Sequence, residues 1–272
     1  MRIDAVLFDL GGTLEDVRYS PESRLAACVS LKRFLKKEGL ELEAEPEALL
    51  KAIERGYLAY RAWSERTMTE APANRVWAEW YLREFDLPRA EIDRVAEGLA
   101  LIWETEFHSR ELRPDARESL EALKVRGFRL GVISNTSSES QVLATLGGYG
   151  IRDYFDCLCL SCVSGIRKPD PRIFLEALCR LGVAPERAAY VGDTVSRDVS
   201  GAKAAGYALA FQIKSFMTAG RDSALPPGCP RPDYVVGELG EIAPILDGLG
   251  AGPAGAAGAA GAAAEGAHRS MR

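Results

Sequence analysis

An α/β protein, with a parallel sheet core flanked by helices and an inserted α-helical cap domain, is what this 272-residue sequence predicts, on three observations. The first is a short run, Ile3-Asp4-Ala5-Val6-Leu7-Phe8, apolar but for Asp4, that ends at Asp9 and passes into the turn Leu10-Gly11-Gly12-Thr13-Leu14. The second is a strict alternation of helix-like and strand-like stretches from Leu112 onward, as expected of parallel strands with helices covering both faces. The third is a block of helical periodicity within residues 17–111, standing between the two.

Taken in order, residues 3–8 read as a buried strand that delivers Asp9 to a glycine-rich loop, where open α/β sheets do their chemistry. The helical block begins with apolar positions Leu25, Val29, Leu31, Phe34 and Leu35, and Gly39 offers a C-terminal stop. Further helices are expected over residues 46–65, 72–86 and 88–107. All four tryptophans (Trp63, Trp77, Trp80, Trp103) fall here, and the spacing of Trp77, Trp80 and Tyr81 favours helix-on-helix packing over a wall for a substrate ring. Arg61, Arg66, Arg75 and Arg83 lie among mixed charges and read as a solvated face.

Beyond residue 112, helices over 115–126, 138–147, 171–181 and 197–205 alternate with strands over 128–134, 157–161, 188–192 and 207–213. Gly127, Gly150, Gly182 and Gly206 stand where those helices should end. Tyr234-Val235-Val236 is a last strand before a helix over 238–248. The division that follows is a Rossmann-like core of residues 1–16 and 112–248, a helical cap of residues 17–111, and a Gly/Ala-rich appendage of residues 249–272 read as flexible. Hinges between core and cap are expected near residues 15–20 and 108–113.

Composition narrows the chemistry. Hydrophobic residues make up 47% of the chain, enough for a real core, and a net charge of −5 with scattered basic residues argues against a nucleic-acid partner. No segment reaches membrane-spanning length, and Met1-Arg2-Ile3-Asp4 enters a strand with no signal-like apolar stretch before it, so the expectation is a cytoplasmic protein with reduced thiols. Cys157-x-Cys159-x-x-Cys162 lacks a second pair or a nearby histidine, which favours buried packing over zinc. With only His108 and His268, a histidine-based triad or metal centre has almost no material. Carboxylates, a lysine, hydroxyls and backbone amides are left to do the work.

Four stations at strand ends supply them in sequence order: Asp9 with Gly11-Gly12-Thr13; Ser134-Asn135; Lys168 in Arg167-Lys168-Pro169-Asp170-Pro171; and Gly192-Asp193-Thr194 with Asp198 five residues after Asp193. Each is short, but four in order at strand ends are a strong joint signal. With them the chain resembles the haloacid dehalogenase-like superfamily, in the branch whose helical cap follows the first strand, over roughly residues 1–248. The resemblance implies a Mg²⁺-dependent phosphohydrolase acting on a small phosphorylated metabolite. Asp9 is then the nucleophile of a phosphoaspartyl intermediate, Ser134 and Asn135 bind phosphoryl oxygens, and Lys168 neutralises the phosphate. Asp9, the Gly11 carbonyl and Asp193 hold the metal, with Asp198 behind a water. Against these roles stand ordinary ones: loop capping for Asp9, turn chemistry for Ser134 and Asn135, a surface position for Lys168, and a helix N-terminus for Asp198.

Gly11 is the departure. Phosphatases of the family usually carry there a second aspartate, the general acid and base, whose loss typically forfeits on the order of 10²–10⁴ in rate. Three readings stay open: a substrate with a good leaving group, such as an acyl phosphate or phosphoanhydride; a proton from Glu15, Asp16 or the cap; or a phosphate-binding regulator without turnover. A metal-independent carbon–halogen hydrolase using Asp9 is the further alternative, and the Gly-Asp-Thr run argues against it.

Overall fold

The structure is a computed structural model that describes residues 1–215, 222, 225 and 228–253. Its main sheet has six parallel strands in the order β5-β4-β1-β6-β7-β8: Cys157–Leu160, Arg129–Ser134, Ala5–Phe8, Ala188–Gly192, Leu209–Ile213 and Tyr234–Val236. The central strand β1 is buried throughout, and its side chains alternate between the two faces: Val6 and Phe8 enter one apolar layer, Ala5 and Leu7 the other. Helices α5 (Ala116–Val125), α6 (Glu139–Gly148) and α10 (Ile242–Gly248) contribute to the first layer, α8 (Pro171–Leu181) and α9 (Ser200–Ala204) to the second. After β1 the chain builds β4 and β5 on one side and β6 to β8 on the other, so the strand order reverses at β1. That reversal opens a crevice at the carboxyl ends of β1, β4 and β6.

Between β1 and β4 the chain forms α1 (Pro21–Lys37), α2 (Pro46–Thr67), the short α3 (Ala73–Val76) continued by a wide π turn over Trp77–Tyr81, and α4 (Arg89–Ile102) continued by another over Trp103–Phe107. These elements share an apolar core that includes Leu31, Leu49, Ile53, Val95 and Leu99. Trp77 and Trp103 are buried in it at 88° and 6.4 Å between ring centroids, the packing expected from their spacing.

At the positions expected to join core and helical block, the chain forms an antiparallel ribbon, β2 (Glu15–Arg18) with β3 (Ser109–Leu112), with Glu15 opposite Leu112 and Arg18 opposite Ser109. Glu15 holds it down: this fully buried carboxylate accepts from Arg110 and, at 2.9 Å, from the Tyr149 hydroxyl of the core. Helical block and core meet again where Thr69 bridges antiparallel to Ile166, with Glu70 N donating to Gly165 O and Arg167 N to Met68 O, both at 3.0 Å. Glu70, also buried, accepts there from Tyr60, Arg167 and Ser161 Oγ, the last at 2.6 Å.

Two further differences concern the chain's end and the core's connections. The segment expected to be loose from residue 249 still packs at its start: Ala251 is buried in the main core and its N–H donates to Leu246 O at 2.9 Å. Residues 254–272, and His268 with them, lie outside the described residues. The strand expected over 157–161 ends at Leu160, and a short helix, α7 (Ser161–Ser164), follows it with no helical periodicity of its own to announce it.

Candidate functional site

Three strand ends converge at the reversal point. Asp9 follows β1, Ser134 closes β4 and Asp193 follows β6, while Lys168 arrives on the loop between α7 and α8. Its ammonium, 3% exposed, donates to Asp9 Oδ1 at 2.6 Å, Asp198 Oδ1 at 2.7 Å and the Tyr190 hydroxyl at 3.0 Å. Lys168 is therefore no surface residue. Asp198 stands on a wide π turn, Val195–Val199, and its second oxygen accepts from Thr194 N at 3.1 Å and from the Thr194 hydroxyl. Both its oxygens are thus engaged by protein donors, which suits indirect support of a metal better than direct ligation.

Asn135 serves the lysine as well. Its side-chain oxygen accepts from Lys168 N at 2.9 Å and its amide donates to Lys168 O at 3.1 Å, so one amide N–H and the backbone are left to face a phosphoryl group. Ser134, 6% exposed, borders the cleft with Asp9. Gly12 adopts φ +88°, and a Cβ there would stand 2.4 Å from Asp193 Oδ2: the loop must be glycine to pass the carboxylate. Gly11 carries no such demand. A Cβ on it would meet only Val17 Cγ2 at 3.4 Å and Glu15 Oε1 at 3.8 Å.

Burial sets the electrostatics. It pushes the Asp9 carboxyl above its ordinary value against the pull of Lys168. Burial, then the charges of Asp198 and Asp9, push Asp193 up to about 7. For Asp198 burial is outweighed, chiefly by Lys168 and Arg197, and its carboxyl is held low. The Lys168 ammonium, which burial alone would weaken, is held in its charged form by Asp198 and Asp9.

One oxygen each from Asp9, Asp193 and Asp198 lie within 4.8 Å of one another, all on buried residues. Three carboxylates so crowded against a single lysine favour a cation, and an all-oxygen donor set fits a hard divalent ion such as Mg²⁺. Among the described residues the Cys157–Cys162 cluster forms no comparable group; Cys157 and Cys159 lie buried on one face of β5, as packing predicts.

A cleft of about 1030 Å³ opens over Asp9. The helical block walls it with Tyr57, Tyr60, Trp103 and Glu104 among others, and the core with Ser134, Lys168 and Arg197. Glu104 ties the two sides together, accepting from Ser137 Oγ at 2.9 Å and from Arg110 at 2.8 Å. Of the acids considered as proton donors, Glu15 is locked beneath the loop by Arg110 and Tyr149. Asp16 lies on the ribbon, 3.8 Å from Arg113, and neither borders the cleft.

Several parts of this site carried no sequence signal. Tyr190 reads as one more apolar residue of a strand, and Glu70 and Arg167 are nearly a hundred residues apart. Arg197 was open to notice, since it stands between the two aspartates of the fourth station.

A family model described as haloacid dehalogenase-like hydrolase matches residues 3–206. Among curated proteins, glyceraldehyde 3-phosphate phosphatase of Methanopyrus kandleri is 32% identical over 206 residues, 75% of this chain and 81% of its own. Phosphoserine phosphatase of Thermus thermophilus is 33% identical over 253 residues, 87% and 96% of the two chains. Among solved structures, the 2-haloacid dehalogenase of Pseudomonas syringae pv. Tomato DC3000 superposes with a TM-score of 0.61 at 27% identity, covering 91% of this chain and 99% of that one. With four stations gathered at one crevice and these likenesses over most of its length, the chain belongs to the haloacid dehalogenase-like hydrolases.

Proposed function

We propose that this hydrolase is a Mg²⁺-dependent phosphohydrolase of small phosphorylated metabolites, working through a phosphoaspartyl intermediate on Asp9. The observation that carries the reading is the buried trio Asp9, Asp193 and Asp198 gathered around Lys168. A metal-free carbon–halogen hydrolysis has no use for so much negative charge, whereas a phosphate site with a cation does. Relatives named for glyceraldehyde 3-phosphate and phosphoserine support the substrate class.

In this reading Asp9 attacks phosphorus, an Asp9 O–P bond forms and the bond to the leaving oxygen breaks; water then attacks the same phosphorus and frees Asp9. Lys168, fixed by Asp198, Tyr190 and the Asn135 clamp, holds its positive charge beside the nucleophile, where a phosphoryl oxygen can take over the bond it now gives Asp9. Ser134 and the Asn135 backbone hold the remaining oxygens. Asp9, Asp193 and the Gly11 carbonyl would hold Mg²⁺, with Asp198 supporting; when bound it supplies charge neutralisation between carboxylate and phosphate. Residues 17–111 act as a cap over the core of 1–16 and 112–248, excluding bulk water, and the setting is cytoplasmic.

Leaving-group departure takes no help from the Asp9 loop. Glu15 and Asp16 do not reach the cleft; of the helical-block acids that line it, Glu104 is kept ionised by His108 and Arg110 despite its burial, and Glu54, Glu65 and Glu70 are each ion-paired to an arginine. The substrate is accordingly one whose leaving group needs little protonation. Phosphate release from acetyl phosphate and p-nitrophenyl phosphate, with Mg²⁺ or EDTA, by wild type and Asp9→Asn, tests this. Metal-dependent release absent from the mutant is expected, with acetyl phosphate preferred; release that survives in Asp9→Asn or in EDTA overturns it.

A further inference from the structure

The cleft over Asp9 has a side arm of about 430 Å³ that reaches past Lys168 between α2 and the turn after β6. Arg61, Ser64, Glu65, Arg167, Lys168 and Arg197 line both spaces and so mark their junction. Four of the six are cations. Arg61 pairs with Glu65 at 2.8 Å, Arg167 with the buried Glu70, and Lys168 with Asp9 and Asp198. Arg197 is different: among the described residues its side chain has neither a carboxylate within 4.0 Å nor a hydrogen bond, although it is half-buried.

Its place in the chain explains the isolation. On the turn Val195–Val199, Asp198 points inward to Lys168 and Thr194, while its neighbour Arg197 faces the junction. The guanidinium is near enough to Asp9, Asp193 and Asp198 for its charge to act on all three, yet it bonds to none. It therefore lines the cleft without bonding to the site's carboxylates, open to a part of the substrate that is not transferred. A half-buried planar donor fork with no protein acceptor is suited to a carboxylate or phosphate supplied from outside.

We propose that Arg197 is the specificity-determining residue of this cleft, binding a second anionic group on the substrate, so that the preferred phosphorylated molecule carries a carboxylate or a further phosphate beyond the phosphoryl that is transferred. The inference rests on the phosphohydrolase reading for what happens to that molecule, but its recognition is measurable without turnover.

Three unhydrolysable ligands separate the cases by calorimetry in Mg²⁺ buffer: propylphosphonate, 3-phosphonopropionate and propane-1,3-bisphosphonate. Wild type should bind at least one of the doubly anionic ligands roughly tenfold or more tighter than propylphosphonate, as a charge-assisted bidentate bond implies. Which of the two gains identifies the second group as carboxylate or phosphate. In Arg197→Met the ratio should collapse to about one, Arg197→Lys should keep part of it, and Arg197→Glu should invert it, because charge and fork contribute separately. Because the guanidinium's charge also steadies Asp9, Asp193 and Asp198, the variants are compared in saturating Mg²⁺ at a temperature where melts show each to be folded, and the ratio between ligands within one variant is the readout. Equal affinities in wild type, a ratio that survives in Arg197→Met, or no binding of any of the three overturns the proposal. Arg197-dependent preference in a protein that releases no phosphate from any ester would instead remove the phosphohydrolase reading alone.

Discussion

Substituting Gly11 by aspartate asks whether this loop has lost an acid or been built to do without one. The backbone does not demand glycine there, and the new Cβ would find 3.4 Å to Val17 Cγ2, an ordinary contact, so the first side-chain atom is accommodated. Its neighbour is the buried Glu15, whose Oε1 lies 3.8 Å from that Cβ. Two carboxylates about 5 Å apart at an effective dielectric of about 20 repel by about 3 kcal/mol. At 1.36 kcal/mol per unit, that would raise the new carboxyl by about two pKa units before Arg110, already bound to Glu15, offsets part of it. A carboxyl shifted upward is a better proton donor near neutral pH. Gly11→Asp should therefore raise kcat on an alkyl phosphate by on the order of 10²-fold or more while changing acetyl phosphate turnover little, because only the poor leaving group needs the proton. Steady-state kinetics on the two substrates would check it. An equal gain on both, or no gain in a variant with the wild-type melting temperature, refutes the idea that the missing acid limits this site.

Other perturbations probe the framework. Lys168→Met strands Asp9 and Asp198 in a buried cluster and should cost about 3–5 kcal/mol of stability, part of it recovered on adding Mg²⁺; a denaturant midpoint equal to wild type would deny the pairing any structural weight. Glu104, held below its ordinary value of 4.5 by His108 and Arg110 against burial, contributes stability that is fully present above pH 4.5 and is lost as pH falls through its depressed value. Melts between pH 3 and 6 should therefore show a flatter acid limb in Glu104→Gln, and identical limbs would refute the linkage. Truncation after Pro253 should leave the melting temperature unchanged, whereas truncation after Gly250 removes the buried Ala251 and should lower stability by about 1 kcal/mol. A lowered melting temperature already on truncation after Pro253 would refute this, assigning stability to residues 254–272.

The parts of the fold that could be read in advance are those whose signal is local. Helix 171–181 and strands 188–192 and 234–236 coincide with the observed elements because Pro171, Gly182 and runs of apolar residues punctuate them. The four stations were legible for the same reason, each being a few consecutive residues. What stayed hidden depends on pairing across long separations. Glu15-Asp16-Val17-Arg18 has weak strand character alone and becomes a ribbon only because Ser109–Leu112 lies beside it and Arg110 meets Glu15. The sequence likewise shows Asn135 as a turn residue, and only the fold turns its side chain onto Lys168. Ala251 resembles the alanines that follow it, and its burial depends on α10 having brought the chain back to the core.

The clasp between Met68–Glu70 and Gly165–Arg167 ties mechanics to chemistry. Its last backbone bond ends on Arg167, next in the chain to the lysine whose ammonium donates to Asp9. Any movement of α2 away from the core would have to release two main-chain bonds and pull Glu70 from Arg167, next to the loop that aims Lys168. If α2 moves to admit a ligand, access and charge alignment become one coordinate, because the clasp and the Lys168 contact with Asp9 share the loop 165–168. Such an enzyme would resist wasteful attack on small anions that enter without drawing the helices closed, and its slow step would be sensitive to viscosity and to substitutions at Glu70 that never touch the reacting phosphorus.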